Sequence, residues 1–337
     1  MMRLLVLNDH EGELGRAPAM ARLRAMAEVE ILDRPLTEAD WPRLADVQVL
    51  LALRERTQID RAFLAACPAL ELILQTGGHA YHLDQAAATA QGVIVALGRR
   101  TKMPMVVVPE LVFGLLLGLV RQIYPLHQGM AAGEWPHLIG GSLHGKTIGL
   151  LGYGRHGRPI ARLAEAFGMQ VVAWDRTGAG PAVDEFGVRR LPLDELLATA
   201  DVVSVHLRLS EESRGMLRGE HFARMKDGAI FVNTARGAIV DEAALVEALR
   251  RGKLAGAGLD VFAHEPLAAD SPLRQLPNVL LTPHVGWQVS AVLHEFVAIA
   301  AAQLEAWLAG QLNPAEVLNP AALAVARPRH GRLKTIE

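Results

Sequence analysis

The chain has 337 residues, 51% hydrophobic, 21% charged and 5% aromatic, a composition that fits a globular protein of about two domains. With 34 basic against 36 acidic residues the net charge is −2, so no basic face and no nucleic-acid partner are expected. The single cysteine, Cys67, excludes an intramolecular disulfide and reads as a core residue in a reducing compartment. The N-terminal apolar run, MMRLLVLND, is too short for a secretion signal. The longest uninterrupted run, Leu111 to Val120, falls short of the about 20 residues that span a bilayer. A cytoplasmic protein with no membrane partner is therefore expected.

The first hundred residues alternate short apolar runs with helical patterns. Strands are predicted at Leu4–Leu7, Val29–Leu32, Val47–Leu51, Leu72–Leu74 and Val93–Val95. Helices are predicted around Met20–Met26, Arg61–Ala66 and Leu83–Ala90. This alternation implies a parallel sheet covered on both faces. It contains no GxGxxG, so this unit does something other than hold a dinucleotide. Thr101 to Pro104 reads as a loop, and a nearly all-apolar helix runs from Pro109-Glu110 to Arg121, with Pro109 in its first turn. A helix apolar all round has to be buried on all sides, which places it at a domain or subunit junction.

Thr147 to Arg176 then reads as one βαβ unit. The run Ile148 to Leu151 leads into Gly152-Tyr153-Gly154-Arg155-His156-Gly157. An amphipathic helix carrying Ile160, Leu163, Ala164 and Phe167 follows, closed by Gly168, and a second strand, Val171 to Trp174, ends at Asp175. The first glycine permits the tight turn, the second admits a pyrophosphate, and the third lets the helix pack on the strand. Asp175, twenty-three residues after Gly152, can accept bonds from a ribose diol and favours NAD over NADP by repelling a 2′-phosphate, although Arg176 beside it could bind that phosphate. A glycine-rich turn without ligand, or a methyltransferase relative, is the alternative for the motif alone.

Further strands are predicted at Val202–Val205, Ile230–Val232, Gly256–Leu259 and Val279–Leu281, with helices at Asp194–Ala198 and Asp241–Arg251. The second domain thus covers 101–288. The helix Val292 to Leu308 returns to the first domain, which comprises 1–100 and 289–318. Residues 319–337 read as a mobile tail, since ARPRHGRLK carries no periodic apolar pattern.

Three segments leave predicted strands carrying reactive side chains: Asn233-Thr234-Ala235-Arg236-Gly237, Asp260-Val261-Phe262-Ala263-His264-Glu265-Pro266 and Thr282-Pro283-His284-Val285-Gly286. Ligands bind beyond the carboxyl ends of strands in an open parallel sheet. A lone strand-end arginine can be a surface cap, a lone loop glutamate a solvated carboxylate, and a lone histidine is more often structural. All three in one domain make a different case. Arg236 can hold a carboxylate through two parallel bonds. A histidine oriented by a carboxylate is a general acid/base. With a dinucleotide to carry the hydride, these parts interconvert a 2-keto acid and a 2-hydroxy acid.

The segments HGKTIGLLGYGRHGRPIARLAEAFGMQVVAWD, ADVVSVHLRLSEESRGML, MKDGAIFVNTARGAIVDEAALVEAL, LAGAGLDVFAHEPL and LPNVLLTPHVGW, in this order, resemble the D-isomer-specific 2-hydroxyacid dehydrogenase family. LILQTGGHAYHLDQAAATAQGVIV extends the likeness, more weakly, into the first domain. The resemblance implies an α/β protein of two doubly wound parallel-sheet domains, a Rossmann domain inserted in a flavodoxin-like substrate domain, and a homodimer. It implies Arg236, Glu265 and His284 as the catalytic set, with His284 the proton donor. Cofactor contacts are implied at Gly152, Gly154, Arg155, His156, Gly157, Asp175, His206, Leu207, Thr234, Ala235, Arg236, Asp260, His284 and Gly286. Thr76, Gly77 and Gly78, with Arg236, are implied to hold the substrate, and no metal is called for.

The chain departs from the family's pattern in places. His156 stands where a small aliphatic residue is usual, His79 where glycine is common, and Arg208 where proline is common. His79, Tyr81 and His82 are expected at the surface or in interdomain packing, with the alternative that His79 or Tyr81 helps set the substrate. The other function classes compatible with the fold are a dinucleotide-sensing, corepressor-like scaffold and a formate oxidase, the latter disfavoured by Glu265 where glutamine would be expected.

Overall fold

A computed structural model describes residues 1–176, 178 and 182–325, and the chain divides into two units, Met1–Met103 with Gln288 onward, and Pro104–Trp287. Every predicted strand is present, with its ends within two residues of the expected ones.

The first unit opens with β1 (Arg3–Leu7), α1 (Glu13–Arg16), α2 (Met20–Met26), β2 (Glu28–Ile31), β3 (Val49–Ala52), α3 (Arg61–Ala65), β4 (Leu72–Gln75), α4 (Gln85–Ala90) and β5 (Ile94–Leu97). The strands form one parallel sheet in the order β2-β1-β3-β4-β5, with Leu4 opposite Val49 and Leu72 opposite Ile94. β3 and β4 are buried at every position, as expected of central parallel strands covered on both faces. Asp60 and Asp84 fix the starts of α3 and α4 by accepting from the Phe63 and Ala87 amides, both at 2.8 Å. Cys67 is buried, as predicted.

The second unit contains α5 (Pro104–Val120), α6 (Ile123–Ala131), β6 (Thr147–Leu151), α7 (Gly157–Ala166), β7 (Gln170–Trp174), β8 (Arg189–Arg190), α8 (Leu193–Thr199), β9 (Val202–Val205), α9 (Gly219–Arg224), β10 (Ala229–Asn233), α10 (Glu242–Arg250), β11 (Leu254–Leu259) and β12 (Val279–Leu281). Its seven strands run parallel in the order β12-β11-β10-β9-β6-β7-β8. The order reverses between β6 and β9, and the loops leaving these two strands flank that crevice.

Two expectations for α5 need correction. The helix begins at Pro104, which itself takes the first helical position, so Pro109 lies inside it and withholds one backbone bond from the Met105 carbonyl. Nor is α5 buried all round. Val107, Val112, Phe113, Leu115 and Leu116 are buried, but Val106, Glu110 and Gly114 are exposed. α6 was not expected: it buries none of its residues, so the sequence shows no apolar face pointing inward.

The chain then returns to the first unit through α11 (Ser290–Leu308), followed by α12 (Ala322–Val325). By length and composition α11 could cross a membrane, but Val292, Leu293, Phe296, Val297, Ala300 and Leu304 are buried and the helix packs on α1, α2 and β4. Arg22 clasps Glu305 through two bonds of 3.0 and 2.6 Å. Residues 319–325, assigned to the tail from sequence, are held in place. Leu318 N–H donates to Val95 at 2.8 Å, the Asn319 side chain accepts from Val95 N–H at 3.0 Å and donates to the Val93 carbonyl at 2.9 Å, and the edge of β5 is thereby covered. The rest of that predicted tail, 326–337, lies outside the described residues.

Candidate active site

Three parallel strands of the second unit deliver the three reactive side chains. β10 ends at Asn233, whose amide braces the next turn: its oxygen accepts from Ala235 N–H at 3.0 Å and its nitrogen donates to the Arg236 carbonyl at 3.1 Å. Arg236 is thus held in extended backbone at φ −151°, half-buried. Gly237 follows because nothing larger fits. A Cβ there would lie 1.9 Å from the Phe262 carbonyl carbon and 2.5 Å from the Ala263 nitrogen. That close approach locks the Arg236 loop onto the loop leaving β11.

The β11 loop carries Glu265, whose Oε1 accepts from Phe262 N–H at 3.0 Å. The β12 loop carries His284 at φ +56°, and His284 Nδ1 meets Glu265 Oε2 at 2.7 Å. Burial pushes the Glu265 carboxyl up, but the bond and charge of His284, the Phe262 amide and Arg236 together hold it below the usual carboxylate range. An ionised carboxylate only accepts, so Nδ1 carries the hydrogen and Nε2 is the ring atom left to exchange a proton.

Asp260 shapes the turn that presents His284. It is 1% exposed. Its Oδ1 accepts from the Thr282 hydroxyl at 2.6 Å and Val285 N–H at 2.8 Å, and its Oδ2 from Gly286 N–H at 2.9 Å. Burial outweighs these bonds and the nearby His284, and raises the carboxyl. In this structure the Asp260 carboxylate is thus engaged with the turn.

Of the remaining predicted cofactor residues, those of the glycine turn and His206-Leu207 follow β6 and β9, the two strands at the crevice. Gly152 adopts φ +100°, and a Cβ there would meet the His206 carbonyl oxygen at 2.8 Å. The glycine lets the β6 turn seat against His206-Leu207. His206 Nε2 bonds Ser204 Oγ at 2.8 Å, and burial, with His156 next to it, pushes the ring well down, so it is neutral at ordinary pH. His156 is also pushed down, first by burial and then by Arg155 and Arg236. Asp175 Oδ1 accepts from Tyr153 N–H at 2.8 Å.

Three observations test whether a dinucleotide fits. No atom would touch a Cβ on Gly154 within 4 Å, so the space beyond the second glycine is open. Thr234 Oγ1 and His156 Nδ1 are buried without a hydrogen-bond partner among the described residues. The amino end of α7 presents its first amides at the same turn. The residues present fit the group.

Thr76, Gly77 and Gly78 belong to the first unit, at the carboxyl end of β4. Thr76 Oγ1 accepts from Arg54 N–H at 2.7 Å, Gly77 adopts φ +85°, and Gly78 is exposed. His79 pairs with Glu55 at 2.8 Å and stacks on Tyr81 with ring centroids 4.6 Å apart, while His82 is buried. Nothing in the structure explains Arg208, whose side chain is exposed.

Sequence reasoning missed several contributors: Asn233 and Thr282, which brace the reactive loops; Glu55, which partners His79; and Arg190, whose Nη1 lies 3.3 Å from Asp175 Oδ2. Asn233 and Thr282 stand inside quoted motifs, and their side-chain chemistry at strand ends was the available signal. Arg190 and Glu55 gave none, being distant in sequence from the residues they meet.

Residues 113–286 match the family described as D-isomer specific 2-hydroxyacid dehydrogenase, NAD binding domain. The D-3-phosphoglycerate dehydrogenase of Mycobacterium tuberculosis is 36% identical over 297 residues, which is 88% of this chain and 56% of that protein, so the chain spans little more than half of that relative's length. The glyoxylate reductase of Korarchaeum cryptofilum is 34% identical over 281 residues, covering 81% of this chain and 83% of the relative. The crystal structure of D-lactate dehydrogenase from Aquifex aeolicus, complexed with NAD and lactic acid, superimposes with a TM-score of 0.78 at 25% identity, over 94% of this chain and 98% of that one. The glycine turn, the three strand-end loops and this extent of likeness lead to one assignment: the chain belongs to the D-isomer-specific 2-hydroxyacid dehydrogenase family.

Proposed function

We propose that the protein is an NAD-dependent D-2-hydroxyacid dehydrogenase that works as a 2-keto acid reductase. The observation that carries this reading is the 2.7 Å contact of His284 Nδ1 with Glu265, on loops locked to the one that bears Arg236. His284 delivers a proton from Nε2 to the substrate's carbonyl oxygen, and Glu265 orients the ring and stabilises its charged form. Arg236 holds the substrate carboxylate and polarises the carbonyl. Thr76, Gly77 and Gly78, at the carboxyl end of β4 in the first unit, are the other residues assigned to the substrate. Gly152 to Gly157, Asp175, His206-Leu207, Thr234-Ala235 and Gly286 hold the dinucleotide, which when bound supplies the hydride.

The substrate domain in this reading is 1–100 with 289–318, and the cofactor domain 101–288. The enzyme works as a homodimer in the cytoplasm. Support for the dimer comes from one stretch: Ile123, Tyr124, Met130, Trp135, Leu138 and Ile139 are all exposed, Ile139 by 93%. Apolar exposure of this extent marks an interaction surface. A reducing compartment suits the buried Cys67 thiol, which burial pushes up to about 12.

The test is a screen of glyoxylate, pyruvate, hydroxypyruvate and phenylpyruvate with NADH, following loss of the reduced cofactor, alongside NADH binding. Turnover of at least one keto acid is expected. NADH binding without turnover of any 2-keto acid would replace the enzyme reading with a dinucleotide-sensing scaffold.

A further inference from the structure

His156 lies inside the glycine turn, but its side chain does not cap the helix that follows. The backbone there is fixed by close approach: a Cβ on Gly157 would lie 2.4 Å from the Gly152 carbonyl oxygen. His156 takes the N-cap position of α7 at φ −93°, yet its ring accepts from none of the first helical amides. Its Nδ1 is buried and has no hydrogen-bond partner among the described residues. The titratable groups around the ring are Arg155 in the same turn, His206 after β9 and Arg236 after β10. All three are basic side chains, and no carboxylate is among them.

A buried imidazole in such a place stays neutral, because burial comes first and Arg155 and Arg236 add to it in disfavouring the charged form. His206 is a poorer proton acceptor still: it is buried more deeply, and its Nε2 is engaged with Ser204 Oγ at 2.8 Å. The balance changes when the amides of this turn hold a diphosphate. Two negative charges, neither of which titrates near neutral pH, then join a ring that only basic groups surround. An opposite charge within about 4–6 Å favours the charged imidazole. The small aliphatic side chain that the family pattern places here has no such response, and a turn that binds through amides alone is indifferent to pH.

We infer that His156 makes dinucleotide binding proton-linked in this chain: the ring takes up a proton from solvent when the diphosphate is seated, and the cofactor is held more tightly as pH falls through neutrality. The charged ring carries hydrogens on both nitrogens, so the buried Nδ1 becomes a donor. This rests on the proposed reading that the glycine turn holds the diphosphate. His156 acts on binding and not on proton delivery to the substrate, so its signature is cofactor affinity and proton uptake.

The experiment is calorimetric titration of the full chain with ADP-ribose, which keeps both phosphates and lacks the nicotinamide, so that the His284–Glu265 pair does not enter. It is run at about pH 6 and about pH 8, each in two buffers of different ionisation heat, which counts the protons taken up. Wild-type affinity should be at least about fivefold higher at the lower pH, with protons drawn from the buffer on binding. His156→Ile should lose both effects. His156→Gln keeps a polar side chain that cannot be charged, so it should bind about as the wild type does at the higher pH and show no pH dependence; it decides the matter if isoleucine disturbs folding. A wild-type affinity that is flat across this range overturns the inference, as does a pH dependence or proton uptake that survives in His156→Gln. Those results leave the dinucleotide reading standing, whereas a wild-type chain that binds neither ADP-ribose nor NADH sinks both.

Discussion

Replacing Glu265 by Gln keeps the size of the side chain and removes its charge, which isolates the carboxylate's effect on His284. The contact is short, 2.7 Å, and the side chains are 27% exposed for His284 and 36% for Glu265. A hydrogen bond to a charged group is worth about 1.5–3 kcal/mol, and partial exposure to water places this pair at the lower end. The alkaline fall of kcat/KM for keto-acid reduction should therefore begin at lower pH in the variant. In the oxidation direction, where neutral imidazole accepts the proton, activity should extend further toward acid. The two directions must shift the same way along the pH axis, which separates loss of the charge from general damage. The carboxyl itself is lowered from its ordinary 4.5, burial being outweighed by His284, the Phe262 amide and Arg236. Its contribution to stability is therefore present above the ordinary value and lost as pH falls through the lowered folded one, and the Gln variant should lack that acid limb. Coincident wild-type and variant pH–rate profiles in both directions would refute the pairing as the source of proton control.

Three more outcomes test the remaining parts. His284→Asn should lose turnover by about 10²-fold or more while still binding NADH in a fluorescence titration, and near-normal turnover would end the proton-donor role. Arg236→Lys keeps the charge and loses the planar fork, so KM for the keto acid should rise and kcat fall with NADH affinity nearly kept; a loss confined to NADH would reassign the arginine to the cofactor. Gly237→Ala drives a methyl into the Phe262 carbonyl group, where a Cβ would lie 1.9 Å from the carbon. Overpacking of this kind costs about 1–3 kcal/mol, so the thermal midpoint should drop by several degrees and turnover with it, and a wild-type midpoint would show that the two loops are not locked.

What the sequence made legible was local. Buried parallel strands announce themselves as short apolar runs, and the glycine turn, its helix and Asp175 lie within one βαβ unit, so spacing alone located them. Arg236, Glu265 and His284 were recognisable because each lies on a short segment that leaves such a run. β8 is two residues long, both arginine, and has no periodicity to detect, so nothing in the sequence joins Arg190 to Asp175. The Glu55–His79 pair likewise depends on β3 and β4 being neighbours, a fact of sheet order. α6 escaped because amphipathic patterns report burial and this helix buries nothing, whereas the start of α5 was misjudged because two prolines compete for the first turn and only the nearer one to the helix's apolar run was chosen.

The turn that carries His284 meets two carboxylates that respond to pH with opposite sign. Glu265 is lowered, while Asp260 is raised from 3.8, because burial outweighs the three bonds it accepts and the charge of His284. A raised carboxyl favours folding most below its unfolded value, and that contribution is lost as pH rises through the folded one, so once ionised Asp260 opposes folding. Its value lies in geometry. A short side chain with two acceptor oxygens can take Thr282 Oγ1, Val285 N–H and Gly286 N–H at once, and so hold His284 at φ +56°, a conformation that residues other than glycine seldom adopt. Asp260→Asn keeps one acceptor and turns an NH₂ toward a donor, which forfeits a buried bond worth about 1–3 kcal/mol while relieving a buried charge. The two effects oppose each other in stability but not in catalysis. The thermal midpoint should therefore move less than in Gly237→Ala, and its wild-type decline as pH rises through the raised Asp260 value should vanish. Turnover should fall all the same, because the turn no longer fixes the imidazole against Glu265. An Asp260→Asn enzyme with wild-type kcat would show that the 282–286 turn holds His284 without its carboxylate.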